Sequence, residues 1–236
     1  MISYNPWHGC NKYSEGCKNC YVYRMDKQYG RDPSEIKITK SFNLPIQKNK
    51  NGKYKYESGT VFFTCYTSDF FLPEMKNERK QVLEFIKERS DCNFYIITKR
   101  IDLVDIEIPD NVELCCTIEN QNQANYRLPI FKNIKAKHKS LCLEPLLSSI
   151  DLGKIDNIEK IIAGGESGYG NDIRICKEEW IKSLYEQAKN LHIPFCFKQT
   201  GTYFVTLDGE VLNVARKDQF DMAKEIGYQD FSIEKL

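Results

Sequence analysis

Three cysteines near the start of the chain, Cys10, Cys17 and Cys20, stand in a C-x6-C-x2-C loop. Thiolates this close in sequence can converge on one metal centre, and soft sulfur donors favour zinc, copper(I) or an iron–sulfur cluster. Four ligands would close a structural site, whereas three leave one position open. A four-iron cluster held by three cysteines keeps one iron able to bind something else. Two simpler outcomes compete with that reading. A C-x2-C pair is often half of a zinc site, and zinc could staple the N-terminal region with His8 or Cys65 as a fourth ligand. A disulfide is the other.

Composition narrows the choice. A length of 236 residues suits one α/β barrel-like domain with a core of its own. The formal net charge of +1 gives no global field toward nucleic acid or a membrane, although a local basic patch remains compatible with it. The first residues lack the basic start and apolar core of a secretion signal. No apolar stretch approaches membrane-spanning length. The expectation is a cytoplasmic protein without a membrane partner, whose ten cysteines are free thiols. That disfavours the disulfide, and several of the cysteines sit in apolar runs where they act as small hydrophobes.

The elements that must position the loop follow a repeating pattern. Residues 2–7 can form a first strand that delivers the chain into the loop. Gly9 and Gly16 each precede a cysteine and would let backbone pass close to a bulky cluster. Residues 21–28 read as a helix with the cluster at its N-terminus. Residues 30–58 read as an exposed polar and basic insertion. From residue 60, short apolar runs each end in a polar cluster. The ends are Ser68-Asp69, Thr98-Lys99-Arg100, Thr117-Ile118-Glu119-Asn120, Glu144-Pro145, Gly164-Gly165-Glu166-Ser167 and Lys198-Gln199. Continuous apolar runs suit parallel strands buried on both faces. Helical patterns over 77–89, with Val82, Phe85 and Ile86 on one face, and over 178–191 lie between them. Seven strands in this order predict an α/β fold, a partial or complete β/α (TIM-like) barrel, whose working residues lie at the C-terminal strand ends. An alternating stretch with an Asp-Gly turn over 203–212 predicts a hairpin, and 215–226 a closing helix. The barrel domain would span 1–204, with 205–236 packed on it.

These motifs, with Asn5-Pro-Trp-His-Gly-Cys10 and Gly16-Cys17-Lys-Asn-Cys20-Tyr21, run through residues 5–204. Together they resemble a phage-associated protein family that is similar to radical S-adenosylmethionine enzymes and has no assigned substrate. The resemblance implies a [4Fe-4S] cluster on Cys10, Cys17 and Cys20. Its open iron would chelate S-adenosylmethionine, and reduction would release a 5′-deoxyadenosyl radical. It implies an electron donor such as flavodoxin or ferredoxin, and a small-molecule, nucleotide or nucleic-acid substrate. Ser68, Asp69, Lys99, Arg100, Glu119, Glu144, Gly164, Gly165, Glu166, Ser167, Lys198 and Gln199 become candidates for binding cofactor and substrate. In radical S-adenosylmethionine enzymes a Gly-Gly-Glu element follows the second strand, whereas Gly164-Gly165-Glu166 follows the sixth expected strand here. The rival reading is a zinc-stapled phage accessory or nucleic-acid-binding protein, drawing on Lys48 to Lys55 with Tyr54 and Tyr56.

Overall fold

The computed structural model describes residues 1–232. In chain order the elements are β1 (Ile2–Tyr4), β2 (Trp7–His8), α1 (Tyr21–Gln28), β3 (Lys37–Ile38), β4 (Val61–Thr64), α2 (Lys76–Glu88), β5 (Asn93–Thr98) and β6 (Val112–Thr117). There follow α3 (Gln121–Asn133), β7 (His138–Leu143), β8 (Lys160–Gly164), β9 (Ile175–Lys177), α4 (Glu178–Asn190), β10 (Phe195–Gln199), β11 (Tyr203–Val205), β12 (Val211–Asn213) and α5 (Gln219–Ile226). Seven strands make one sheet in the order β1-β4-β5-β6-β7-β8-β10. This is the α/β architecture of a partial β/α barrel, and the seven are those expected from the apolar runs. The chain divides into two compact units. The first comprises Met1–Tyr13, Cys20–Cys116 and Ile134–Lys139; the second comprises Ser14–Asn19, Thr117–Asn133 and the chain from Ser140.

In the first unit β1, β4, β5 and β6 pair in parallel, with Phe62 opposite Ile2 and Phe94. Aromatic side chains fill this core: Phe62 stacks on Phe94 at 5.1 Å and Trp7 on Phe70 at 5.6 Å. The crossover helix α2 buries Arg79, Val82, Leu83 and Ile86, one stripe at helical spacing. Phe85 is half-buried and meets Phe42 of the insertion edge-on at 5.7 Å. Arg79 is tolerated inside because its guanidinium bonds the carbonyls of Phe70 and Leu72 and the Asp105 carboxylate at 2.9 Å. Pro6 divides the expected first strand into β1 and β2, and β2 turns to pair antiparallel with β3. The insertion, expected as an exposed loop or hairpin, also carries an antiparallel bridge between Lys48 and Tyr54.

In the second unit β7, β8 and β10 pair in parallel. Helix α4 leads into β10 and buries Ile181, Leu184 and Ala188. A second sheet, β12-β11-β9, holds the expected hairpin, with Phe204 stacked on Phe197 at 5.8 Å. Helix α5 starts at Gln219, later than the pattern predicted, and packs on β10. Residues 233–236 of the expected C-terminal segment lie outside the described residues. Helix α3 was not expected. It is polar and contains Pro129, and it buries Ala124, Arg127 and Phe131.

Candidate functional site

None of the three loop cysteines is in a disulfide, and all three are half-buried. Cys10 and Cys20 lie in the first unit and Cys17 in the second, and each unit supplies its own supports. In the first unit, Cys10 donates its backbone N–H to Pro33 O at 2.8 Å. Ser68 Oγ donates to Gly9 O at 2.5 Å. Arg100, almost wholly buried, donates to the Asn11 carbonyl, lies 3.8 Å from Cys10 Sγ and stacks on the Tyr13 ring at 4.7 Å. Asp69 sets this strand end. Its carboxylate accepts from Thr98 Oγ1 at 2.8 Å, Phe71 N at 2.9 Å and Lys99 N at 3.1 Å, with Arg100 at 3.5 Å. Cys20 is the N-cap residue of α1.

In the second unit, residues 15–17 form a single 3-10 turn that ends at Cys17. Glu119, just past the end of β6, is fully buried. One of its oxygens accepts from Ser14 Oγ and from Gly16 N at 3.2 Å; the other accepts from Arg127 Nη1 at 2.6 Å. Glu166, past the end of β8, is 5 % exposed. It accepts from the Arg174 guanidinium and backbone, and from Asn19 Nδ2 at 2.9 Å. Burial alone would raise the Glu166 pKa, but these bonds outweigh it and hold the carboxyl below the ordinary range. Arg174 also donates to Glu15 O at 2.9 Å. Further along this unit, Lys198 Nζ bonds Glu144 Oε2 at 2.8 Å, and Gln199 Nε2 bonds Glu144 Oε1 at 3.3 Å. The Ser167 hydroxyl lies between the side-chain oxygens of Gln199 and Gln219. The two glycines of the Gly-Gly-Glu stretch are explained by approach. A Cβ on Gly164 would come 2.4 Å from Glu144 Oε1, and one on Gly165 would come 2.1 Å from Thr200 O.

The family model described as a protein of unknown function, DUF5131, matches residues 2–225. The chain belongs to that family. No curated protein and no solved structure matches it.

In this DUF5131 chain the strand-end candidates fall into two groups by what they touch. Ser68, Arg100, Glu119 and Glu166 bond the backbone or side chains of the cysteine loop, and Asp69 orders the segment that carries Arg100. Glu144, Lys198, Gln199 and Ser167 bond among themselves and with the second unit's other side chains. Lys99 contributes its backbone N–H to Asp69. Sequence reasoning missed Ser14, Asn19, Arg127 and Arg174, which complete the loop's supports. The one signal available was a cation set in an otherwise unremarkable polar stretch, Arg127 in α3 and Arg174 just before β9. Gly16 makes room for the Glu119 carboxylate, 3.1 Å from where its Cβ would stand. Among the described residues no group of three or more His, Cys, Asp and Glu side chains is already gathered as a metal cage. What suits an iron–sulfur group is the donor chemistry: three cysteines within eleven residues, none in a disulfide and all half-buried.

Proposed function

We propose that this DUF5131 protein is a radical S-adenosylmethionine-type iron–sulfur enzyme. The observation that carries the reading is the loop itself. None of its cysteines is in a disulfide, all three are half-buried, and side chains from the ends of β4, β5, β6 and β8 bond the loop within each unit. Cys10, Cys17 and Cys20 would hold a [4Fe-4S] cluster, which when bound supplies the electron that cleaves S-adenosylmethionine to a 5′-deoxyadenosyl radical. The chain's own residues have separate tasks. Ser68, Arg100, Glu119 and Glu166 fix the loop so that loading need order only the sulfurs, since metal binding and local folding are coupled. Glu144 with Lys198 presents one carboxylate and one ammonium, partly exposed at 15 % and 28 %. That pair matches the charges of a zwitterionic amino-acid group and makes Glu144, Lys198, Gln199 and Ser167 the preferred contacts for cofactor or substrate. An electron donor of the flavodoxin or ferredoxin kind is part of the proposal.

Two observations weigh against the zinc-stapled alternative. Cys65 is buried, which pushes its thiol well above the ordinary range, with Asp69 and Cys10 adding to the effect. Tyr54 lies against Lys48 and Arg89, and Tyr56 packs edge-on against Phe62 at 5.3 Å, so neither ring is set out as a stacking platform for bases. Incubating the iron-loaded, reduced protein with S-adenosylmethionine tests the proposal. Formation of 5′-deoxyadenosine supports it. Iron-loaded, reduced protein that leaves S-adenosylmethionine intact overturns it.

A further inference from the structure

We propose that Glu119 is a positioning residue. Its carboxylate, locked from behind by Arg127, sets the turn that presents Cys17 and does not contact cofactor or substrate. The inference deepens the functional reading above and rests on it only in taking Cys17 as a ligand. Glu119 and Arg127 are both fully buried, and buried charges are retained when they are paired, as these two are. Arg127 Nη1 reaches Glu119 Oε2 at 2.6 Å and the Thr117 carbonyl at 2.7 Å, which fixes the carboxylate against the end of β6.

The other oxygen, Oε1, then faces the loop. It accepts from the Ser14 hydroxyl and from the Gly16 N–H at 3.2 Å. Those donors flank the start of the 3-10 turn, where backbone N–H groups lack partners within the turn. Ser14, the N-cap residue, makes no side-chain capping bond of its own. Glu119 therefore does from a distant strand end what a capping side chain does locally. The turn it fixes closes through Cys17 N to Ser14 O at 2.9 Å. The approach is tight at Gly16, where a Cβ would stand 3.1 Å from the carboxylate. Asn120 ties the same turn a second time, donating to Glu15 Oε2 at 3.0 Å. Its own oxygen accepts from Gln123 N at 2.9 Å and so caps α3, the helix that carries Arg127. With both oxygens engaged and no exposed surface, Glu119 has nothing to offer a ligand.

The test reads the cysteines one at a time. Full-length protein is purified without oxygen, left unloaded, pulsed with an alkylating reagent and mapped by mass spectrometry. Ser14→Ala and Glu119→Gln are expected to change the labelling rate of Cys17 by roughly fivefold relative to Cys10, the effect of losing one such bond. Ser14→Thr keeps the hydroxyl and restores the wild-type rate. Ser14 is half-buried, so its variants carry the test if Glu119→Gln fails to fold. Equal Cys17 labelling in wild type and folded Ser14→Ala overturns the inference. Loading the same proteins with iron and sulfide separates this idea from the enzyme reading. Wild type that takes up no iron while Cys17 labelling still follows Ser14 sinks the enzyme reading alone. Wild type that loads iron while labelling and loading ignore both substitutions sinks this inference alone.

Discussion

Cysteine reactivity should divide the ten thiols sharply. Cys10, Cys17 and Cys20 are half-buried and the other seven are buried. Burial pushes the Cys176 thiol up to about 12, so hardly any thiolate forms there near neutrality. Alkylation of the native, unloaded protein at pH 8 is expected at the loop cysteines, while Cys176 labels only after denaturation. Glu166 carries a second prediction. Its pKa is depressed in the folded chain, so its contribution to stability is present above the ordinary carboxylate range and is lost as pH falls through the folded value. Glu166→Gln should cost about 1.5–3 kcal/mol at pH 7, the scale of hydrogen bonds to a charged group. In urea titrations the gap from wild type should narrow once pH falls below about 4. A gap that stays constant with pH would mean that the Arg174 pairing contributes little. The cysteines and the strand-end carboxylates were legible as residue types. Their roles were not, because a side chain's hydrogen bonds are decided by partners far away in the chain. Asn19 and Glu166 are 147 residues apart, and no local pattern marks either as the other's partner.

At the scale of elements, strands such as β7, β8 and β10 were legible because both of their faces are covered, which requires unbroken apolar runs such as residues 161–163 and 195–197. Helices α2 and α4 followed from a one-sided stripe. Helix α3 escaped because its buried face includes Arg127, and the Glu119 contact replaces the apolar face that periodicity looks for. The split of the first strand at Pro6 is local chemistry that overrides hydrophobicity: proline supplies no N–H to a ladder. Two substitutions test how firmly these elements hold the strand ends. Gly165→Ala would force a methyl to 2.1 Å from the Thr200 carbonyl, and relief by backbone movement should cost about 1–3 kcal/mol or more. Leu184→Ala opens a cavity beneath α4, where the side chain is fully buried, and should cost about 2–5 kcal/mol. Thermal melts of both variants measure this, and wild-type melting of Gly165→Ala would show that the close approach relaxes freely.

Across the whole molecule, the family match covers residues 2–225, both compact units together. Among the described residues no helix is long and apolar enough to cross a membrane. The near-neutral charge supplies no broad electrostatic draw for nucleic acid; in the function proposed above, recognition falls to local groups such as the Glu144–Lys198 pair. The measurement that bears most directly on the account is metal content after anaerobic reconstitution with iron and sulfide in the presence of competing zinc. The account predicts about four irons per chain with cluster absorption in the visible, both lost when Cys10, Cys17 and Cys20 are replaced together by alanine. One tightly held zinc with no iron taken up, or iron uptake unchanged in the triple variant, would contradict it.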